Sequence, residues 1–136
     1  MVVVVDNSYL VSLFLPDEDS QPVETLFRDS GVHGYALMVP ALWLTEFGNT
    51  MLVCEQRGRL TPAEHLTALE VVQKIPFTVQ SFPSLSGLAR ISKLALHHEL
   101  SFYDATYLGL ALEKGGRLAT LDKKLRLAAE AEGVLY

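Results

Sequence analysis

Four acidic residues, Asp6, Glu46, Asp104 and Asp122, each interrupt a stretch of chain that otherwise avoids charge. An ionised carboxylate at the edge of an apolar element is costly unless a cation or a hydrogen-bond donor meets it. Two carboxylates about 4 Å apart repel by roughly 4 kcal/mol at an effective dielectric of 20. Four acids gathered into one pocket therefore require a shared counter-charge, and a divalent metal ion supplies it. An all-oxygen ligand set suits Mg2+ or Mn2+, whereas zinc usually brings Cys or His.

Three of these acids also have an ordinary structural explanation. Asp6 follows a run of valines and is placed to cap the short helix after it. Asp104 is the fourth residue of Ser101-Phe102-Tyr103-Asp104, a capping-box spacing, and Asp122 stands where a helix N-cap is expected. Glu46 has no such explanation. It is the only formally charged residue between Ala41 and Cys54, and its neighbours Trp43, Leu44 and Phe47 are core types. Asn49 and Thr50 share its side at helical spacing, so Asn49 is placed to hydrogen-bond near it. The ordinary alternative for Glu46 is a buried ion pair with Arg90 or Lys93. Without any partner its pKa would rise.

Other reactive residues are less informative. His97-His98-Glu99 is a conceivable second metal cluster, but adjacent helical residues diverge and lack the i, i+4 geometry of a zinc helix, so a solvated helix end is expected. Cys54 is the single cysteine and lies in an apolar helical pattern, which reads as a reduced core thiol. No phosphate-binding glycine loop and no Gly-x-Ser-x-Gly elbow is present.

The elements that must position the acids follow from periodicity and punctuation. Residues 2–5 are β-branched throughout, the habit of a strand buried on both faces. A short helical face (Leu10, Leu13, Phe14) ends at Pro16, and a helix over 20–29 turns Val23, Leu26 and Phe27 inward, before a loop opened by Gly31 and Gly34. Residues 36–39 form a strand, and Pro40 then opens a helix that runs to about Arg57, with Gly58 as terminator. Thr61-Pro62-Ala63-Glu64 is a capping box that starts a helix to about Lys74. A strand over 77–80, a helix over 84–97 and a helix over 102–114 follow, the last stopped by Gly115-Gly116. Residues 117–121 make a strand, 122–132 a helix and 134–136 an edge strand. Strands separated by helices, without tight hairpins, indicate a three-layer α/β/α sandwich around a central, mainly parallel sheet. In such sheets ligands bind at the carboxyl ends of the strands, where Asp6 and Asp122 emerge together.

The chain is 136 residues long and 49% hydrophobic, which fits one domain over residues 1–136 with a sizeable core. The net charge of −5 argues at first against a nucleic-acid partner, yet the four acids account for most of it and bound metal would cancel them. No apolar stretch reaches the roughly 20 residues of a membrane span, and no signal-peptide pattern follows Met1, so a cytoplasmic location is expected.

The pattern as a whole resembles the PIN-domain ribonucleases, most closely the VapC-type toxins of bacterial and archaeal toxin–antitoxin pairs. The resembling pieces are Val3-Val4-Val5-Asp6-Asn7-Ser8, the segment 40–49 around Glu46, the segment 100–108 around Asp104, and Leu118-Ala119-Thr120-Leu121-Asp122-Lys123-Lys124-Leu125. Together with the length they cover essentially the whole chain. The resemblance implies a PIN-like fold and endonucleolytic RNA cleavage by metal-activated water. It assigns Asp6, Glu46, Asp104 and Asp122 to the acidic cluster that holds Mg2+ or Mn2+, with Asp6 and Asp104 as the strongest direct ligands. Ser8, Asn49 and Thr120 match its supporting polar positions. It also implies a homodimer and a VapB-type antitoxin whose extended tail covers the cleft. Asn7 stands where Ala or Thr is more usual, a change that a turn tolerates. Arg126 stands where some relatives carry another acid.

Substrate contacts are sought among Lys93, Lys123, Lys124 and Arg126, which would flank the cluster and touch phosphates. Tyr9, Tyr103 and Tyr107 are candidates for stacking on an unpaired base or for helix packing. Rival classes are a phosphohydrolase with Asp6 as nucleophile, disfavoured because Ser8 stands where its second Asp is needed, and a non-catalytic RNA- or partner-binding module that retains the fold.

Overall fold

A computed structural model describes residues 1–136. In chain order the elements are β1 (Val2–Val5), α1 (Asn7–Val11), α2 (Gln21–His33), β2 (Ala36–Pro40), α3 (Leu42–Gln56), α4 (Pro62–Val72), β3 (Thr78–Gln80), a 3-10 turn at Leu85–Gly87, α5 (Leu88–His98), α6 (Phe102–Glu113), β4 (Arg117–Ala119) and α7 (Lys123–Ala131). The four strands are all parallel, in the order β3-β2-β1-β4. The expected α/β/α arrangement is therefore present, with a sheet that is parallel throughout rather than mainly so.

β1 lies inside the sheet between β2 and β4, and its Val3, Val4 and Val5 are fully buried, as a strand covered on both faces requires. α6 packs across β1, β2 and β4 and is itself overlain by α5 and α7. That double cover explains why Ala105 to Ala111 are buried without a break. Both faces of α6 are apolar because neither meets water.

Several boundaries differ from the sequence expectation, three of them for clear local reasons; among the others, β4 ends at Ala119 and a 3-10 turn precedes α5. Pro40 does not open α3; it closes β2, in register with Gln80, and Ala41 N–H donates to Gln80 O at 2.9 Å. A proline at the end of a strand forfeits no ladder donor that the next residue cannot supply. α2 runs through Gly31 to His33 because Gly34, at φ 69°, provides the left-handed terminator and bonds back to Ser30 O. Residues 134–136 contribute a single parallel bridge, Leu118 to Leu135, instead of a full strand.

Gly116 lets α6 turn tightly into β4 beside the first strand: a Cβ there would sit 2.5 Å from the Val2 carbonyl oxygen, which the ladder holds in place. Gly116→Ala should destabilise the fold by about 2–3 kcal/mol. Gly31→Ala, in the last turn of α2 with nothing within 4 Å, should instead stabilise it by up to about 1 kcal/mol. Urea unfolding of both variants reads the two opposite shifts.

Candidate active site

The chain leaves β1 for β2 on one side, while β4 lies on the other. The carboxyl ends of β1 and β4 thus form the crevice where parallel sheets place ligands. A cavity of about 470 Å3 opens there, and Asp6, Glu46, Asp104 and Asp122 all line it. The structure brings together the four acids that the sequence singled out.

Asp6 is the deepest, at 5% exposure. Its side chain makes no full cap hydrogen bond to α1, though the N–H groups of Asn7 and Ser8 favour its charge. Instead, Oδ2 accepts from Ser8 Oγ at 2.6 Å and from Thr120 Oγ1 at 2.8 Å. Those hydroxyls in turn accept from the backbone N–H of Leu121 and Asp122, each at 3.1 Å. The hydroxyl protons are thereby committed to Asp6, and the ends of β1 and β4 are laced through its carboxylate. Burial still outweighs these donors and pushes the Asp6 pKa up.

Glu46 enters from the first half of α3. The alternative ion pair is absent: Arg90 pairs with Glu113 at 2.8 Å, and Lys93 lines a separate cavity between α5 and α6. Glu46 Oε1 accepts from the hydroxyl of Tyr107, a fully buried residue of α6, at 2.5 Å. Burial raises the Glu46 pKa; the Tyr107 bond opposes that, and the charges of Asp6 and Asp104 add to it. Tyr107 is held firmly neutral by burial and by its bond to Glu46.

Asp104 and Asp122 show how capping and ligand positions combine. Ser101 Oγ accepts from Asp104 N–H at 3.0 Å, capping α6, while the Asp104 carboxylate lines the cavity. Burial, then the charges of Asp6 and Asp122, raise its pKa. Asp122 does cap α7, accepting from Leu125 N–H at 2.9 Å through Oδ1.

The other expected residues are distributed differently. Ser8 and Thr120 are in place, whereas Asn49 is exposed on α3 and makes no side-chain hydrogen bond. Its neighbour Thr50 lines the cavity and donates to Glu46 O at 2.9 Å, while accepting from Asn7 Nδ2 at 3.1 Å. Lys123 and Arg126 border a pocket with Leu127, Glu130 and Leu135, and Lys124 donates to Glu99 O. None of the four expected substrate cations lines the acidic cavity. Of the tyrosines, Tyr107 is buried on Glu46 and Tyr9 is buried with its hydroxyl on Pro22 O, so neither stacks on a base; Tyr103 is 61% exposed.

The residues fit a hard divalent cation. The donors are all oxygens. The single cation lining the cavity, Arg59, is forked onto Asp17 at 3.0 and 3.2 Å and leaves the acids unpaired. Asn7 Oδ1 is enclosed and accepts no hydrogen bond. Its orientation follows from Thr50, whose hydroxyl proton is spent on Glu46 O and which must therefore receive the amide N–H of Asn7. Elsewhere, His97 and His98 meet Glu132 rather than Glu99, with His98 Nε2 2.7 Å from Glu132 Oε1 and all three ligand atoms within 4.8 Å of one another.

Asp6, Glu46 and Asp104 have folded-state pKa values above their unfolded ones. Their contribution to stability is complete below the ordinary carboxylate range and is lost as pH rises through the raised values. In chelator at neutral pH, Asp104→Asn should therefore stabilise the protein, by about 1 kcal/mol after allowance for its partial exposure. The gain should vanish as pH falls below the ordinary carboxylate range, where the acid is protonated in both the folded and the unfolded chain. Thermal melts across pH test this.

Comparison with known proteins agrees with the geometry. Residues 3–131 match the family model of the PIN domain. Ribonuclease VapC3 of Pyrobaculum aerophilum is 30% identical over 125 residues, 92% of each chain. The crystal structure of PAE2754 from Pyrobaculum aerophilum superposes with a TM-score of 0.71 at 25% identity, over 96% of this chain and 86% of that one. Mycobacterium tuberculosis VapC20, described as a sarcin-ricin loop cleaving toxin, shares the fold at a TM-score of 0.69 and 16% identity, over 98% and 96% of the two chains. With nearly its whole length matched and its acids gathered at the strand ends, the chain belongs to the PIN-domain family, in its VapC branch.

Proposed function

We propose that this VapC-type chain is a Mg2+- or Mn2+-dependent endoribonuclease, the toxin of a VapBC-type toxin–antitoxin pair. The observation that carries the proposal is one cavity in which Asp6, Glu46 and Asp104 are all pushed toward the protonated state and no basic side chain pairs with them. Such a site costs stability, and binding a divalent cation relieves the cost.

Asp6 and Asp104 are the residues to hold the metal directly, with Glu46 and Asp122 as further ligands or as anchors for water. Bound there, the metal would lower the pKa of water and offset charge developing on the cleaved phosphate. The protein's own contribution is positional. Ser8 and Thr120 fix the Asp6 carboxylate from two strands. Tyr107 holds Oε1 of Glu46, leaving Oε2 to the cation or to a water it would hold. Asp122 keeps one oxygen on the start of α7 and presents the other to the cavity.

Partner binding draws support from apolar surface away from the cavity. A groove of about 400 Å3 is lined by Trp43, Phe47, Leu69, Val72, Phe77 and Val79, and the enclosed Trp43 Nε1 has no acceptor. Leu85 and Leu96 are 91% and 81% exposed. These surfaces suit an antitoxin segment and a second copy of the chain. No helix is long and apolar enough to cross a membrane.

Purified protein free of antitoxin should cut RNA internally in Mn2+ and stop in chelator. Asp6→Asn and Asp104→Asn, each shown to be folded, should lose more than about 100-fold, and Ser8→Ala and Thr120→Val about 10–100-fold. Cleavage retained by both Asp→Asn variants would remove the acids from the reaction. Absence of cleavage by the wild type across a broad RNA pool would favour a binding module instead.

A further inference from the structure

The acidic cavity must admit a polyanion, yet five of its lining residues are acids (Asp6, Glu18, Glu46, Asp104, Asp122) and only Arg59 is basic. A cation held by the acids would offset the charge of the reacting phosphate; the flanking phosphates of a bound strand would still need a donor at the wall. Arg59 is held in place by the elements on either side of it. Gly58, at φ 74°, ends α3 in the left-handed conformation, and the N–H groups of Gly58 and Arg59 bond to Glu55 O at 3.0 Å and Cys54 O at 2.8 Å, a Schellman turn. Leu60 is buried at 3% exposure, and Thr61 begins the capping box of α4. The arginine therefore leaves a turn fixed on both sides.

Its guanidinium is already arranged as an anion fork. Nε and Nη2 donate to Oδ2 and Oδ1 of Asp17, the geometry in which arginine also receives a phosphate. Asp17 is solvent-exposed, at 59%, so the pair is screened and is weakly held. We propose that Arg59 is the residue of this cavity that binds the RNA backbone, with a phosphate displacing the carboxylate of Asp17. Asp17 then acts as an internal competitor: it keeps the fork oriented in the free protein and leaves when RNA enters. The inference rests on the proposed ribonuclease activity and adds its backbone contact.

The experiment is steady-state cleavage of a random-sequence, single-stranded RNA pool in Mn2+ by the wild type, R59Q, R59K and D17N. R59Q and D17N break the same ion pair, so a merely structural role for that pair moves both variants in the same direction. The substrate role moves them apart. R59Q should raise the apparent KM about tenfold with kcat within about twofold, and D17N should lower it about threefold. R59K should recover part of the loss, since lysine restores the charge without the fork. The slope of log KM against log salt should fall by about 0.7 in R59Q, as for one lost phosphate contact on a single strand. A KM unchanged in R59Q, or raised equally in R59Q and D17N, overturns the inference while leaving the activity standing. A wild type that cleaves no RNA overturns the activity and this contact together.

Discussion

The Asp6 carboxylate is the constraint on which the rest of the structure turns. A group with this desolvation cost survives only if the surrounding chain is organised to hold it. Here two hydroxyls, one from the start of α1 and one from the end of β4, direct their protons at one of its oxygens. The same hydroxyls accept the N–H groups of Leu121 and Asp122 just beyond β4. The charge at the centre of the cavity is thus also the joint between the central strand and its outer neighbour. The switch in strand order places that joint at an open crevice instead of a closed core.

Around this joint, cap positions serve a second purpose. Helix N-termini favour negative charge, so a carboxylate at a first turn is tolerated even near other carboxylates. Asp104 and Asp122 use this allowance at α6 and α7. Glu46 lies inside α3 near its start, caps nothing, and depends on a phenol supplied from the most buried helix of the fold. The site is therefore anchored on rigid elements throughout, which keeps its ligands from collapsing or dispersing when their charge is uncompensated.

Much of this was legible in the sequence because the signals were local. The valine run of β1 and the Thr61 capping box left unambiguous marks, and the four acids stood out because nothing charged stood near them. What escaped depended on distance along the chain or on facing. Tyr107 sits 61 residues from Glu46, and a tyrosine within an apolar helix is indistinguishable from a core residue until the helices are placed. Asn49 and Thr50 both lie at helical spacing from Glu46, and spacing alone does not tell which one faces the cavity; the rotation of α3 puts Thr50 there. Lys93, Lys123 and Lys124 lie on elements next to the site but face away from its cavity. Arg59, in a turn rich in charge, carries no periodic signal at all.

A single metal site built from these acids is tested most directly by calorimetric titration of Mn2+ into the purified protein. Wild type should bind Mn2+, and binding should be lost in Asp6→Asn but persist in His98→Ala, which disables the His97–His98–Glu132 group. Heat that survives Asp6→Asn and disappears in His98→Ala would place the metal at that group instead and contradict the account.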